Sequence, residues 1–150
     1  MDDLRDLYQE MILDHYKNPR GQKKLSHANH HAEGYNPLCG DRVTIYLTVV
    51  GDRIADVAFE GSGCAICTAS SSVMTEVLKG KTVMEAETLF KRFHDLVTCK
   101  PDIEPNTEGL GKLAIFAGVR EYPIRIKCAT LPWHTFHAAL EDRGDTITTE

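Results

Sequence analysis

Cys39, Cys64 and Cys128 each sit beside a glycine or a cation, in Asn-Pro-Leu-Cys-Gly-Asp, Gly-Ser-Gly-Cys-Ala-Ile and Arg-Ile-Lys-Cys-Ala, and Asp41 follows the first by two residues. Three thiolates and a carboxylate make a four-ligand set of the kind that holds Zn²⁺ or an iron–sulfur cluster. Sulfur that can leave a metal can also attack another sulfur, so the set points to metal binding or sulfur transfer. Gly40 and Gly63 let backbone approach closely. Helix starts predicted at Cys64 and Cys128, with Arg125 and Lys127 adjacent, would lower thiol pKa.

Other candidates carry blander readings. Cys67 follows Cys64 by one helical turn and reads as a buried small apolar residue; its Cys-x-x-Cys spacing lacks the βαβ context of a redox motif. Cys99 reads as an incidental thiol in a loop. His27, His30 and His31 read as a solvated cluster in a long connection, and His134 and His137 as helix residues facing solvent or a partner. His15 and His94 lie on helices without special context.

The elements that must position these residues follow from periodicity. Leu4, Leu7, Tyr8, Met11, Ile12 and His15 recur at helical spacing, closed by Pro19 and Gly21. Residues 22–40 read as a connection. Val43, Ile45, Leu47 and Val49 alternate, Gly51-Asp52 marks a turn, and Ala55, Val57 and Phe59 resume the alternation, which predicts a hairpin. Gly61-Ser62-Gly63 opens a helix stopped at Gly80. Thr82 with Glu85 is a capping box for a second helix through Val97. Residues 99–106 read as a loop and Leu110 to Ala117 as a short helix. Pro123 is expected to break that helix, and a last one to run from about Cys128 to Leu140, with Pro132 in its first turn. Strands before helices predict an α+β fold: a small antiparallel sheet of about three strands with helices packed on one face. Residues 1–142 are expected to form a single domain, followed by a polar tail, 143–150.

Composition bounds the function. Apolar residues at 42% and charged ones at 26% describe an ordinary globular chain. A net charge of −5 with a pI near 5.8 argues against nucleic acid as partner. Five cysteines is an odd number, and the start Met-Asp-Asp-Leu-Arg lacks an apolar signal. No apolar run approaches a membrane span. These features predict a cytoplasmic protein with reduced thiols and no membrane partner.

The segments Leu7-Tyr8-Gln9-Glu10, Leu13 to Pro19, Asn36 to Asp41, Gly61 to Ile66, Ala69-Ser70-Ser71-Ser72 and Arg125 to Ala129, in that order, resemble the U-type (NifU N-terminal/IscU/SufU) iron–sulfur cluster assembly family over roughly residues 4–140. IscU-like members carry a histidine just before the third cysteine, where this chain has Lys127. They also carry a Leu-Pro-Pro-Val-Lys chaperone-docking motif, where this chain has Glu121-Tyr122-Pro123-Ile124-Arg125. With a SufU-like insertion over about residues 82–106, the chain is similar to the SufU branch.

The resemblance implies Zn²⁺ held by Cys39, Asp41, Cys64 and Cys128. It implies that Cys39 accepts persulfide sulfur from a SufS-type pyridoxal-phosphate cysteine desulfurase, whose histidine would replace Cys39 on zinc. A downstream iron–sulfur scaffold or acceptor protein would then take the sulfur. Arg125 and Lys127 are expected to support developing negative charge. The alternative is a scaffold for a labile [2Fe–2S] cluster on the same ligands, which Lys127 disfavours because an ammonium is a poor fourth ligand. A purely structural zinc domain would prefer a closed Cys₄ or Cys/His set, and no histidine is marked out as the base of a Cys-His hydrolase.

Overall fold

The computed structural model describes residues 3–141 and 147–148, with side chains over 6–141. Its sheet is built from β1 (His30–Asn36), β2 (Asp41–Val50) and β3 (Arg53–Ser62), paired antiparallel as the sequence predicts. A two-residue β4 (Ile147–Thr148) pairs parallel with β1, giving the order β3-β2-β1-β4. The expected polar tail therefore includes a short sheet edge; the rest of it, with residue 142, lies outside the described residues.

β1 occupies a segment expected to be a connection. Its inward positions are Ala32, Gly34 and Asn36, all buried, so the alternation is real but carried by small and polar residues. Helix α4 (Pro123–Leu140) crosses this strand so closely that a Cβ on Gly34 would strike Thr135 Oγ1. Two histidines expected in solvated loop lie on this strand. His30 Nδ1 is 2.9 Å from the Ala139 carbonyl oxygen, and His31 stacks on Tyr46 across the pair.

In β2, Val43, Ile45 and Leu47 face the core, as predicted. β3 departs from prediction at one residue: the pairing slips between Thr48 and Val49, so Ile54 is buried and Ala55 exposed. A bulge of one residue shifts which side chains face inward. The tight turn between these strands uses Gly51 at φ 63°, as a two-residue hairpin loop requires.

α1 (Asp3–Lys17) and α2 (Ala65–Leu78) pack together, and α2 also packs on α4. Small side chains permit this closeness, and their hydroxyls are satisfied internally. Ser70 Oγ donates to the Ala129 carbonyl at 2.6 Å, and Ser72 Oγ accepts the Arg20 N–H at 2.8 Å and meets His15 Nδ1 at 2.7 Å. The Ala69-Ser70-Ser71-Ser72 run thus ties three segments together without unpaired polar groups.

α3 (Val83–Thr98) begins at the predicted capping box, with Glu85 N–H to Thr82 Oγ1 at 3.1 Å and Thr82 N–H to Glu85 Oε1 at 2.9 Å. Its Phe93 stacks on Trp133 of α4 at 5.0 Å and meets Phe116 edge-on at 5.7 Å. Phe116 belongs to a 3₁₀ helix, Gly111–Glu121, longer than the short helix expected there.

The last helix corrects the sequence reading twice. It starts at Pro123, which opens it at the first position instead of breaking a preceding helix. Pro132 consequently lies in the helix interior, buried, where its missing N–H leaves the Cys128 carbonyl without its helical donor. Among the described residues no helix is long and apolar enough to cross a membrane.

Candidate metal centre

Three element ends meet at one end of the sheet. Asn36 closes β1 and faces Asp41, which opens β2; Pro37 to Gly40 form the turn between them. Gly40 takes φ 73° and its N–H returns to the Asn36 carbonyl at 2.8 Å, which brings Cys39 round over the strand ends. The end of β3 places Cys64 as the N-cap of α2, where its sulfur accepts the Cys67 N–H at 3.4 Å. Cys128 enters from the second turn of α4.

Cys39 Sγ lies 3.4 Å from Cys128 Sγ and donates to Asp41 Oδ2 at 3.1 Å. Cys64 Sγ lies 3.5 Å from the same oxygen, while Asp41 Oδ1 accepts the Cys64 N–H at 2.8 Å. Cys39, Asp41 and Cys128 offer ligand atoms within 4.8 Å of one another. Cys64 touches the set through Asp41 and stands outside that tightest triad. The four residues expected as ligands therefore converge.

Exposure is asymmetric. Asp41 is 1% and Cys128 3% exposed, whereas Cys39 is fully on the surface side of the cluster. Gly63 makes the packing possible: a Cβ there would lie 3.0 Å from Asp41 Oδ1 and 3.3 Å from Cys67 Cβ.

The electrostatics are those of acids crowded together. The Cys64 thiol is lowered to about 7, first by its hydrogen bond with Cys128 and then by the Cys67 and Ile66 amides, against burial and the Asp41 charge. Cys128 is pushed up, first as the donor to Cys64 and next by burial. The N-cap sulfur is thus the more acidic of the two thiols. Cys39 is raised by burial and by its hydrogen bond to Asp41. The expectation that a helix start would lower the Cys128 thiol fails because its hydrogen bond to Cys64 and its burial favour the protonated form. A divalent cation would reverse this balance and deprotonate all three thiols. Soft sulfur with one carboxylate suits zinc's ligand chemistry.

Arg125 and Lys127 occupy the first turns of α4. The Arg125 guanidinium lies 4.4 Å over the Tyr122 ring, and Lys127 is half-buried directly before Cys128. Cys99 caps the end of α3, its sulfur on the Leu96 carbonyl at 3.3 Å. His134 and His137 are half-buried around Phe90, at 5.2 and 5.7 Å between ring centroids, instead of fully facing solvent. Among the described residues, none of the histidines joins a metal-ligating cluster.

Sequence reasoning gave Asn36 no role. It is fully buried, and its Nδ2 donates to Cys39 Sγ at 3.1 Å and lies 3.9 Å from Cys128 Sγ. Its Oδ1 accepts the Leu38 N–H at 3.1 Å, which orients the amide toward the sulfurs. A polar residue directly before the Pro-x-Cys turn was the available signal.

Comparison with known proteins gives a consistent result. A family described as NifU-like N terminal domain matches residues 7–129. The chain is 40% identical over 144 residues to the zinc-dependent sulfurtransferase SufU of Bacillus subtilis, covering 95% of this chain and 96% of that one. It is 37% identical over 138 residues to the iron–sulfur cluster assembly scaffold protein IscU of Streptococcus pyogenes serotype M1, covering 92% and 85%. The crystal structure of FiSufU, of the SUF system of Fervidobacterium islandicum AW-1, superposes with a TM-score of 0.82 at 41% identity, over 91% of this chain and 98% of that one. A match spanning the three antiparallel strands and all three site cysteines, with full-length relatives alike in sequence, places this chain in the NifU-like N-terminal domain family of iron–sulfur cluster assembly proteins.

Proposed function

We propose that this protein is a zinc-dependent sulfur acceptor in iron–sulfur cluster assembly, working with a pyridoxal-phosphate cysteine desulfurase of SufS type. Cys39 takes the sulfur and passes it to a downstream scaffold or acceptor protein. The observation that carries this reading is the asymmetry of the site: Cys39 stands on an exposed turn, while Asp41 and Cys128 beneath it are buried. The likeness to the Bacillus subtilis protein over nearly the whole chain supports it.

Cys39, Asp41, Cys64 and Cys128 would hold the zinc, which keeps ligand thiols deprotonated and, having no redox chemistry or strict geometry, tolerates exchange of one ligand. In transfer, the Cys39 thiolate attacks the outer sulfur of the desulfurase persulfide. That S–S bond breaks, the desulfurase cysteine leaves as a thiolate, and a persulfide remains on Cys39. Asn36 is placed to hydrogen-bond the Cys39 sulfur, and Arg125 and Lys127 would offset charge around the incoming persulfide.

The test is desulfurase turnover with the zinc-loaded protein and with Cys39→Ala. Stimulation that requires Cys39 and zinc, with one added sulfur on Cys39 by mass, is the expected result. Absence of stimulation, together with anaerobic assembly of a transferable [2Fe–2S] cluster, would favour the scaffold reading instead. The likeness to the Streptococcus scaffold supports that alternative, and Lys127 weighs against it. Arg125→Ala is expected to lower sulfur uptake with zinc content unchanged; unaltered uptake removes Arg125 from the scheme.

A further inference from the structure

Cys67 is the one thiol beside the cluster that belongs to no ligand set proposed above. Its Cys-x-x-Cys spacing with Cys64 lacked a redox context at the level of sequence, but the local geometry supplies one. Cys64 is the N-cap of α2 and Cys67 is the third residue of that helix, joined by the Cys67 N–H to Cys64 Sγ contact at 3.4 Å. These are the N-cap and third helical positions that a capping box links through side chain-to-backbone bonds, and here the Cys64 sulfur makes one such bond, to the Cys67 amide. Cys64 is partly exposed and Cys67 is 3% exposed. An outer thiol thus meets solvent while an inner one waits behind it. The missing Cβ of Gly63 leaves a recess bounded by Cys67 Cβ and the Asp41 carboxylate, so Cys67 borders the site itself.

We propose that Cys64 and Cys67 form a dithiol–disulfide pair whose oxidation removes Cys64 from the metal-ligand set. The oxidant is a low-molecular-weight disulfide, RSSR. The Cys64 thiolate attacks one sulfur of RSSR, whose S–S bond breaks to release RS⁻ and leave a Cys64–SR mixed disulfide. Cys67 then gives up its proton and attacks the Cys64 sulfur, and the second RS⁻ leaves. The two protein thiols together lose two electrons and two protons, and RSSR becomes two RSH. The disulfide stands independently of the proposed function, whereas its effect on zinc rests on that reading's ligand set. A nearby competitor exists in Cys39 and Cys128, whose sulfurs are 3.4 Å apart. That pair is drawn from two distant segments that zinc would hold, while Cys67 is free to attack as soon as Cys64 carries a leaving group.

The full chain, loaded with zinc, is equilibrated with oxidised glutathione, quenched in acid, alkylated and cut with trypsin. Both cysteines fall in one tryptic peptide, 54–79. The expected product is that peptide without alkylation and lighter by two hydrogens. In Cys67→Ser the same peptide should retain glutathione on Cys64, with a mixed-disulfide lifetime longer by at least about tenfold, since intramolecular attack is lost. Cys67→Ala repeats this arm, so that a fault peculiar to serine is not misread. A Cys39–Cys128 cross-link with residues 64 and 67 both alkylated, or a Cys64–glutathione adduct equally persistent in the unaltered chain, overturns the proposal. A second arm follows zinc release to a chromophoric chelator under the same oxidant. Faster release from the unaltered chain than from Cys67→Ser is expected, and equal rates overturn the coupling to metal. If the linked peptide forms but the reduced chain holds no zinc, the ligand set fails while the disulfide pair stands.

Discussion

Gly63→Ala is a single methyl group aimed at the site. Gly63 has no positive φ, so alanine suits the backbone there and only the new Cβ matters. That atom would stand 3.0 Å from Asp41 Oδ1 and 3.3 Å from Cys67 Cβ. Asp41 is 1% exposed and cannot swing into solvent. Its Oδ1 must retreat by a few tenths of an ångström from the oxygen position that accepts the Cys64 N–H at 2.8 Å, and Oδ2, shared between two thiols, moves with it. A hydrogen bond to a charged group contributes about 1.5–3 kcal/mol, and partial loss costs about half of that. The lower chain entropy of alanine when unfolded returns about 0.4–1 kcal/mol. The net is a loss of roughly 0.5 kcal/mol, or a Tm lower by about 1–2 °C. Zinc binding should suffer more, by about 10–100-fold, as when groups that orient ligands are altered. Chelator competition measures the affinity and a melting curve measures the stability. Gly118→Ala is the control: its Cβ would meet nothing within 4 Å and its φ is not positive, so neither quantity should fall. Zinc affinity in Gly63→Ala within twofold of the unaltered chain, with an undiminished Tm, would refute the claim that this recess positions Asp41.

Asn36→Ala removes the amide donated to Cys39 Sγ and the support of the Leu38 N–H; zinc affinity should drop about 10–100-fold by the same competition assay. Gly34→Ala drives a Cβ into Thr135 Oγ1 beneath α4 and should cost about 1–3 kcal/mol, read as a lower urea midpoint. Buried His15 has its pKa lowered, chiefly by desolvation and next by the Arg20 charge. It is therefore neutral in the folded state, and its contribution is complete above the ordinary histidine pKa of about 6.5 and lost as pH falls below it toward the lower folded value. Urea midpoints should decline between pH 7.5 and 5.5, with a smaller decline in His15→Asn; equal slopes would exclude His15 as a cause.

Chemistry was legible in the chain because ligand identity is a matter of residue type. Cys39, Asp41, Cys64 and Cys128 announce themselves by their glycine neighbours and by their motifs, and the Thr82–Glu85 cap and the β2 alternation follow from local rules that need no tertiary partner. β1 was hidden because α4 crosses too closely to admit large side chains, and that approach is a property of the packed molecule. The start of α4 was misjudged because proline both ends and begins helices, and only the neighbouring 3₁₀ helix decides which. Asn36 looked like a turn residue until its amide met two sulfurs from different segments.

What the sequence alone determined, then, is the inventory: three thiols and a carboxylate, a hairpin, capped helices and the order in which they come. What the tertiary structure decided is proximity and charge. It sets Cys39 outside and Cys128 inside, and makes the sulfur at the α2 N-cap more acidic than its partner Cys128. Those properties depend on distances between segments far apart in the chain, and pairwise distance is the quantity that residue type and local spacing do not contain.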